Sequence, residues 1–177
     1  MWLNGYKIMA TRTATMDADG EASSAVSIRP FAPNDATACC WIINENVAVM
    51  AGLNEAARRV IIGKNVPDRL ALELGNAHTV VAVDGDDVVG VAALDRAELI
   101  RFHVAKSHQG RGIGSAMLML LEEQARLNGV GRLQLLASPS SEGFYASYGY
   151  ASLGEDRAVS GNAEFVNVKM EKELAQS

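Results

Sequence analysis

Residues 98–115 read ELIRFHVAKSHQGRGIGS, and this stretch decides the fold. Glu98 to Val104 carries Leu, Ile, Phe and Val in a pattern that suits a strand. Gly110, Gly112 and Gly114 follow as a turn, and from Ile113 the pattern becomes helical. Glycine lets a ligand approach the main chain closely. The first N–H groups of a helix lack intrahelical partners, and the helix dipole adds partial positive charge there. A glycine turn running into a helix start is therefore a seat for a phosphate or pyrophosphate, and Arg111 can add charge-assisted contacts.

Two familiar phosphate motifs fail on this stretch. A P-loop needs Gly-Lys-Ser/Thr, but Gly114 is followed directly by Ser115. The dinucleotide-binding turn G-x-G-x-x-G, counted from Gly112, meets Met117 at its third glycine, and the next strand ends at Ala137-Ser138 without an acid. What remains is Gln109-Gly110-Arg111-Gly112-Ile113-Gly114, with a second segment downstream, Gly143-Phe144-Tyr145-Ala146-Ser147-Tyr148-Gly149-Tyr150. The first resembles the Q/R-x-x-G-x-G/A signature of the GNAT superfamily of N-acetyltransferases. The second resembles that family's FY-x-x-x-G-F/Y segment, and the two stand in the family's order.

Working outward, Thr79–Val83 and Val88–Leu94 flank Asp84-Gly85-Asp86-Asp87 and predict a hairpin. With the strand from Glu98 they make a three-strand meander. Ile113–Asn128 is a strongly apolar helix stopped by Asn128-Gly129, and Arg132–Ala137 is the next strand. A strand–helix–strand unit of this length favours parallel pairing. Ser141–Ser147 is a short helix, and Tyr150–Arg157 with Glu164–Met170 closes the domain as a hairpin. Upstream, Val26–Arg29 is a first strand. A helix capped by Asn34 or Asp35 carries Ala38, Trp41, Ile42 and Val47. Residues 52–77 are helical, broken at Gly63 and restarted near Pro67-Asp68.

The order β–α–α–β–β–β–α–β–α–β–β is also that of GNAT domains. The expected fold is α/β, a central mixed sheet of six to seven strands flanked by about four helices. A single domain is expected at 26–171, preceded by a small-residue arm or linker at 1–25 and followed by a tail at 172–177.

The 177 residues suit one domain with a real core, and the net charge of −5 offers no basic surface for nucleic acid. No apolar run approaches a membrane span, and the start MWLNGYKIMA makes a poor signal peptide, so a cytoplasmic protein is the default expectation. Cys39 and Cys40 are adjacent on a helix and read as buried thiols. His78, His103 and His108 are scattered, and no metal site is predicted.

The resemblance implies an acetyl-CoA-dependent N-acetyltransferase acting on an amine acceptor. It places the coenzyme A pyrophosphate on Gln109, Gly110, Arg111, Gly112, Ile113, Gly114 and Ser115. The pantetheine arm would pair with the strand near Phe102, His103 and Val104, where a backbone N–H can polarise the thioester carbonyl. Tyr145 falls on the family's FY tyrosine, beside Phe144, and would be the general acid. As a residue alone, an aromatic on a short helix is more often core. Ser138 lies where many relatives carry an asparagine on the pantetheine arm, and SPSS stands there instead.

The amine poses a separate problem. A lysine-like amine titrates at about 10.4 and is protonated at neutral pH. Glu98, at the start of the central strand, is the candidate general base, directly or through water. His103 is the alternative, but strict alternation puts it on the opposite face of the strand from Glu98. Family habit and the arm suggest a homodimer. A different class of function, a non-catalytic acyl-CoA-binding regulatory module, shares the same turn.

Overall fold

In a computed structural model of the chain, residues 26–175 are described. The sheet comprises β1 (Ser27–Pro30), β2 (His78–Asp84), β3 (Asp87–Asp95), β4 (Glu98–Val104), β5 (Arg132–Ala137), β6 (Ala151–Ser160) and β7 (Ala163–Glu173). The helices are α1 (Ala36–Val47), α2 (Glu55–Lys64), α3 (Pro67–Asn76), α4 (Ile113–Leu127) and α5 (Glu142–Ser147). The strands form one seven-stranded sheet in the order β1-β2-β3-β4-β5-β7-β6. Every neighbouring pair is antiparallel except β4 and β5.

Helices cover both faces of the middle strands. On one face α4 and α5 bring Leu118, Leu121 and Tyr145 against Val80, Leu99 and Leu133. On the other, α1 and α3 bring Ile43, Leu70 and Leu74 against Val81 and Val91. A strand buried on both sides needs apolar residues at every position, which is why Val80-Val81-Ala82-Val83 shows no alternation. Leu121 is fully buried, and truncating such a side chain to alanine costs about 2–5 kcal/mol.

Several boundaries differ from expectation. Gly63 lies inside α2, and the break comes at Asn65-Val66, just before the proline that opens α3. Asp35 does not cap α1 with its side chain. Its carboxylate accepts two hydrogen bonds from Arg29 and one from the Ala32 N–H, and these outcompete the cap. Ordered chain continues past 171: β7 runs to Glu173 and Leu174 is buried, its N–H bonded to the Gly131 carbonyl at 2.9 Å. The expected arm at 1–25 lies outside the described residues. Cys39 and Cys40 are both buried and free. Among the described residues no helix is long and apolar enough to cross a membrane.

One irregularity positions everything that follows. Val91 pairs with His103 but Ala93 pairs with Ile100, so two steps along β3 face three along β4. The extra residue makes β4 bulge. Arg101 sits in the bulge in the left-handed region, at φ 52. For a non-glycine residue that conformation costs about 1–3 kcal/mol.

Candidate active site

The bulge opens a wedge in the sheet. β4 and β5 pair only at Glu98 with Gln134 and Leu99 with Leu135. Beyond that point β4 stays paired with β3 as far as Val104, and β5 with β7 as far as Ala137. The facing edges of Ile100–Val104 and Leu136–Ala137 have no strand partner among the described residues. Backbone N–H and C=O groups left this way are obligatory hydrogen-bonding groups and can pair with an extended amide-bearing chain.

The open edge of β4 leads directly into the glycine turn. Gly112 is the residue before α4, at φ 79, and Gly110 is at φ 76. Among the described residues a Cβ on either would meet nothing within 4 Å, so their positive φ is the demand of the turn and no described group fills the space above them. The first helical hydrogen bond runs from the Ala116 N–H to the Gly112 carbonyl, which leaves the N–H groups of Ile113, Gly114 and Ser115 for an anion. No acid stands in the first turn of this 15-residue helix. An open cradle, unpaired N–H groups and an extended edge beside them fit a pyrophosphate bearing a pantetheine arm.

Several predicted binding side chains are used by the protein itself. Gln109 donates to the carbonyls of Val104 and the Asn46 side chain, both at 3.1 Å, and so anchors the turn to α1. Arg111 reaches Asp84 at 3.3 Å, and His108 reaches the same carboxylate at 3.2 Å. Tyr148 donates its hydroxyl to Ser115, so this tyrosine bonds as well as packs. Ser138 is held in its own turn by the hydroxyls of Ser140 and Ser141 at 3.1 and 2.7 Å.

Tyr145 is buried, 7 % exposed, in an aromatic cluster. Its ring centroid lies 5.1 Å from that of Phe144 and 5.7 Å from that of Tyr150, edge to face in both cases. Burial pushes its phenol above the ordinary value, so it is protonated throughout the neutral range. No described protein group hydrogen-bonds to its hydroxyl. Phe144 also touches the helix start: a Cβ on Gly114 would lie 3.5 Å from its ring.

The two candidate bases stand on the other face. Leu99 packs in the same cluster as Tyr145, and Glu98 precedes it, so Glu98 points away from α5. Glu98 is exposed and lines a shallow cavity of about 280 Å³ with Gln134, Leu136, Asp156 and Lys169, at the closed end of the wedge. The expectation that His103 lies opposite Glu98 is corrected by the bulge. Ile100 packs on the α1 and α3 side and Phe102 on the α4 side, so one extra residue has reversed the parity between them. His103 therefore shares the face of Glu98. Burial, and secondarily the charge of Arg101, depress its pKa to about 4, so the ring is neutral at neutral pH.

Residues 52–54 dock on β7 through Val166 N–H to Gly52 O at 2.7 Å and Asn54 N–H to Glu164 O at 3.3 Å. The N-terminal helices and the closing hairpin thus meet beside the wedge. Asn46 and Arg101 were not among the predicted residues. Asn46 donates to the Val104 carbonyl at 3.0 Å and so holds the last residue of β4. Nothing in the sequence marks either, because neither residue type prefers a bulge or a strand end.

The family model described as an acetyltransferase (GNAT) domain matches residues 52–174. A GCN5-related N-acetyltransferase of Rhodopseudomonas palustris superposes with a TM-score of 0.77 at 22% identity, covering 87% of this chain and 99% of that one. The paia N-acetyltransferase of Thermoplasma acidophilum, in complex with coenzyme A, gives 0.67 at 17% identity, over 84% and 98%. The yncA protein of Salmonella typhimurium, with its cofactor acetyl-CoA, gives 0.68 at 21% identity, over 86% and 96%. At these identities the structural likeness is one of fold. No curated protein matches the chain by sequence.

Proposed function

The chain belongs to the GNAT family of acetyl-CoA-dependent acetyltransferases, and we propose that it acetylates a primary amine of a small molecule or peptide by direct attack. Acetyl-CoA, as co-substrate, supplies an activated acetyl thioester. The glycine turn would take its pyrophosphate on the N–H groups of 112–115, and the open edge of β4 would pair with the pantetheine amides. A free N–H at Phe102 or Val104 would polarise the thioester carbonyl.

In this reading the amine first loses a proton, through water, to the Glu98 carboxylate. Its lone pair then attacks the thioester carbonyl carbon to form the C–N bond, the nitrogen gives its second proton to water, and the tetrahedral intermediate collapses as the C–S bond breaks. The departing sulfur takes the proton of the Tyr145 hydroxyl, and the phenolate regains a proton from solvent. A thiol titrates at about 8.5, so the thiolate is a tolerable leaving group and the proton assists without being indispensable. A phenol that stays protonated and has no hydrogen-bond partner among the described residues suits that task.

The observation that carries the proposal is the junction of the unpaired β4 edge with the glycine turn, beside Tyr145. Thiol release on incubation with acetyl-CoA and a panel of amines tests it. Release with at least one amine is the expected result. Tight coenzyme A binding with no release across a broad panel would establish the regulatory-module alternative instead. The same reading takes the enzyme as a cytoplasmic homodimer. Light scattering at micromolar concentration tests the assembly, and a monomer would remove that part.

A further inference from the structure

Among the described residues two that are not glycine adopt the left-handed conformation, Arg96 and Arg101. Arg96 lies in the tight connection between β3 and β4, where such a conformation is ordinary. Arg101 lies inside a strand, where it is not. Its guanidinium grips Glu73 of α3 with two parallel bonds, Nε to Oε1 at 2.7 Å and Nη2 to Oε2 at 2.9 Å. A third bond runs from Nη1 to the Asn65 side-chain carbonyl at 3.1 Å. Asn65 is itself buried and held. Its amide donates to Asn44 of α1 at 3.0 Å, and its backbone carbonyl accepts from the Cys40 thiol at 2.8 Å. One residue of the strained strand segment is thus tied to α1, to the end of α2 and to α3.

We propose that Arg101 is a positioning residue: its fork on Glu73 holds β4 in the bulged course that keeps the edge of Ile100–Val104 open to the donor. The inference rests on the acetyl-CoA reading of the wedge. Its physical basis is that a strained backbone state persists only where the surroundings over-determine it. Without the bulge, β4 would run in phase. Phe102 would then leave the aromatic cluster of Phe144 and Tyr145, and β4 could continue its ladder with β5 past Leu135. A planar guanidinium meets a carboxylate in two parallel bonds, whereas a lysine offers one point charge. The grip also fixes the charge that sits beside His103.

The test uses the full chain with Arg101→Ala, Arg101→Gly, Arg101→Lys and Glu73→Gln. Coenzyme A affinity is read by calorimetry, backbone opening by amide hydrogen exchange at residues 100–104, and folding by melting. Arg101→Ala and Arg101→Lys should weaken coenzyme A by about tenfold or more and slow exchange at 102–104, because the released strand closes its ladder with β5 over the edge the donor needs. Glu73→Gln should act in the same direction. Arg101→Gly is the diagnostic variant. Glycine in a strand is ordinarily worse than alanine, but it accepts positive φ freely, so here it should bind coenzyme A more tightly than Arg101→Ala. Wild-type affinity and exchange in Arg101→Ala and Glu73→Gln would overturn the proposal, as would Arg101→Gly binding no better than Arg101→Ala. Should Arg101→Ala not fold, Glu73→Gln decides by the same two readouts. A wild-type protein that fails to bind coenzyme A would defeat the functional reading alone, since the exchange comparison still judges the grip.

Discussion

The rings of Phe102 and Tyr145 stand edge to face with their centroids 5.9 Å apart. That contact joins the first residue past the β4 bulge to α5, and so brings the second sequence motif to the mouth of the wedge. It also separates packing from chemistry at Tyr145, because the ring makes the contact and the hydroxyl does not.

Tyr145→Phe keeps the ring and removes the hydroxyl. Melting temperature and coenzyme A affinity should change little, while turnover falls about tenfold or more, a barrier increase of about 1.4 kcal/mol or above. Tyr145→Ala should lower the melting temperature as well, through the lost edge-to-face contacts. A fully active Tyr145→Phe would confine the residue to packing.

Gly112→Asp should abolish coenzyme A binding. The added carboxylate would enter the open space over the turn and repel the pyrophosphate, and positive φ strains any side chain there. Gly114→Asp should act likewise, with its Cβ directed at Phe144. Calorimetry checks both, and undiminished affinity would move the anion seat elsewhere.

Glu98→Gln should cut turnover by about 10²–10⁴-fold, or shift the pH–rate profile, with coenzyme A affinity intact. An unchanged profile would leave the proton to another group or to water. His103 should show no NMR titration near the ordinary histidine value, since its pKa is depressed to about 4. A depressed histidine favours the neutral form in the fold. Its contribution to stability is thus complete above about pH 6.5 and is lost as the pH falls toward its folded value.

The Arg29–Asp35 pair should govern part of the acid limb of stability. The Arg29 guanidinium, aided by the Ala32 N–H, holds the Asp35 carboxyl below its ordinary value against the effect of burial. A depressed carboxyl contributes stability above its unfolded pKa, about 3.9, and loses it as pH falls through the lower folded value. Asp35→Asn should lower the melting temperature at neutral pH and flatten its decline in acid. Parallel melting curves for the two proteins from pH 2 to 7 would remove the pair from the account.

The elements that were legible in the sequence carry their own local cause. β4 and β5 begin and end at the expected residues, because each is a short apolar run between breakers. The buried face of α4 and the left-handed turn at Gly112 follow from helical periodicity and from the one residue type without a Cβ. The parallel pairing of β4 with β5 follows from the helix that must cross between them. Tyr145 was legible only through its motif, since a tyrosine beside a phenylalanine on a short helix does not by itself distinguish an acid from a core residue.

The tertiary structure decided what depends on distant partners. Arg101 has no intrinsic preference for a left-handed bulge. It adopts one where Glu73 and Asn65, from 28 and 36 residues upstream, meet its guanidinium. That one inserted residue reverses the alternation of β4, brings His103 to the side of Glu98 and parts β4 from β5. Alternation read along a sequence counts residues and assumes regular pleating, so a single bulge set by long-range contacts inverts every assignment beyond it. The same limit explains Gln109, Arg111 and Ser138. Their types suit a phosphate or an amide, and no local pattern shows the hydrogen bonds they make with Val104, Asp84 and the neighbouring serines in the folded chain. The sequence by itself determined the family, the strand–turn–helix and the glycine cradle, because those rest on local backbone chemistry. The open wedge and the faces on which the catalytic candidates stand were decided by packing across the sheet.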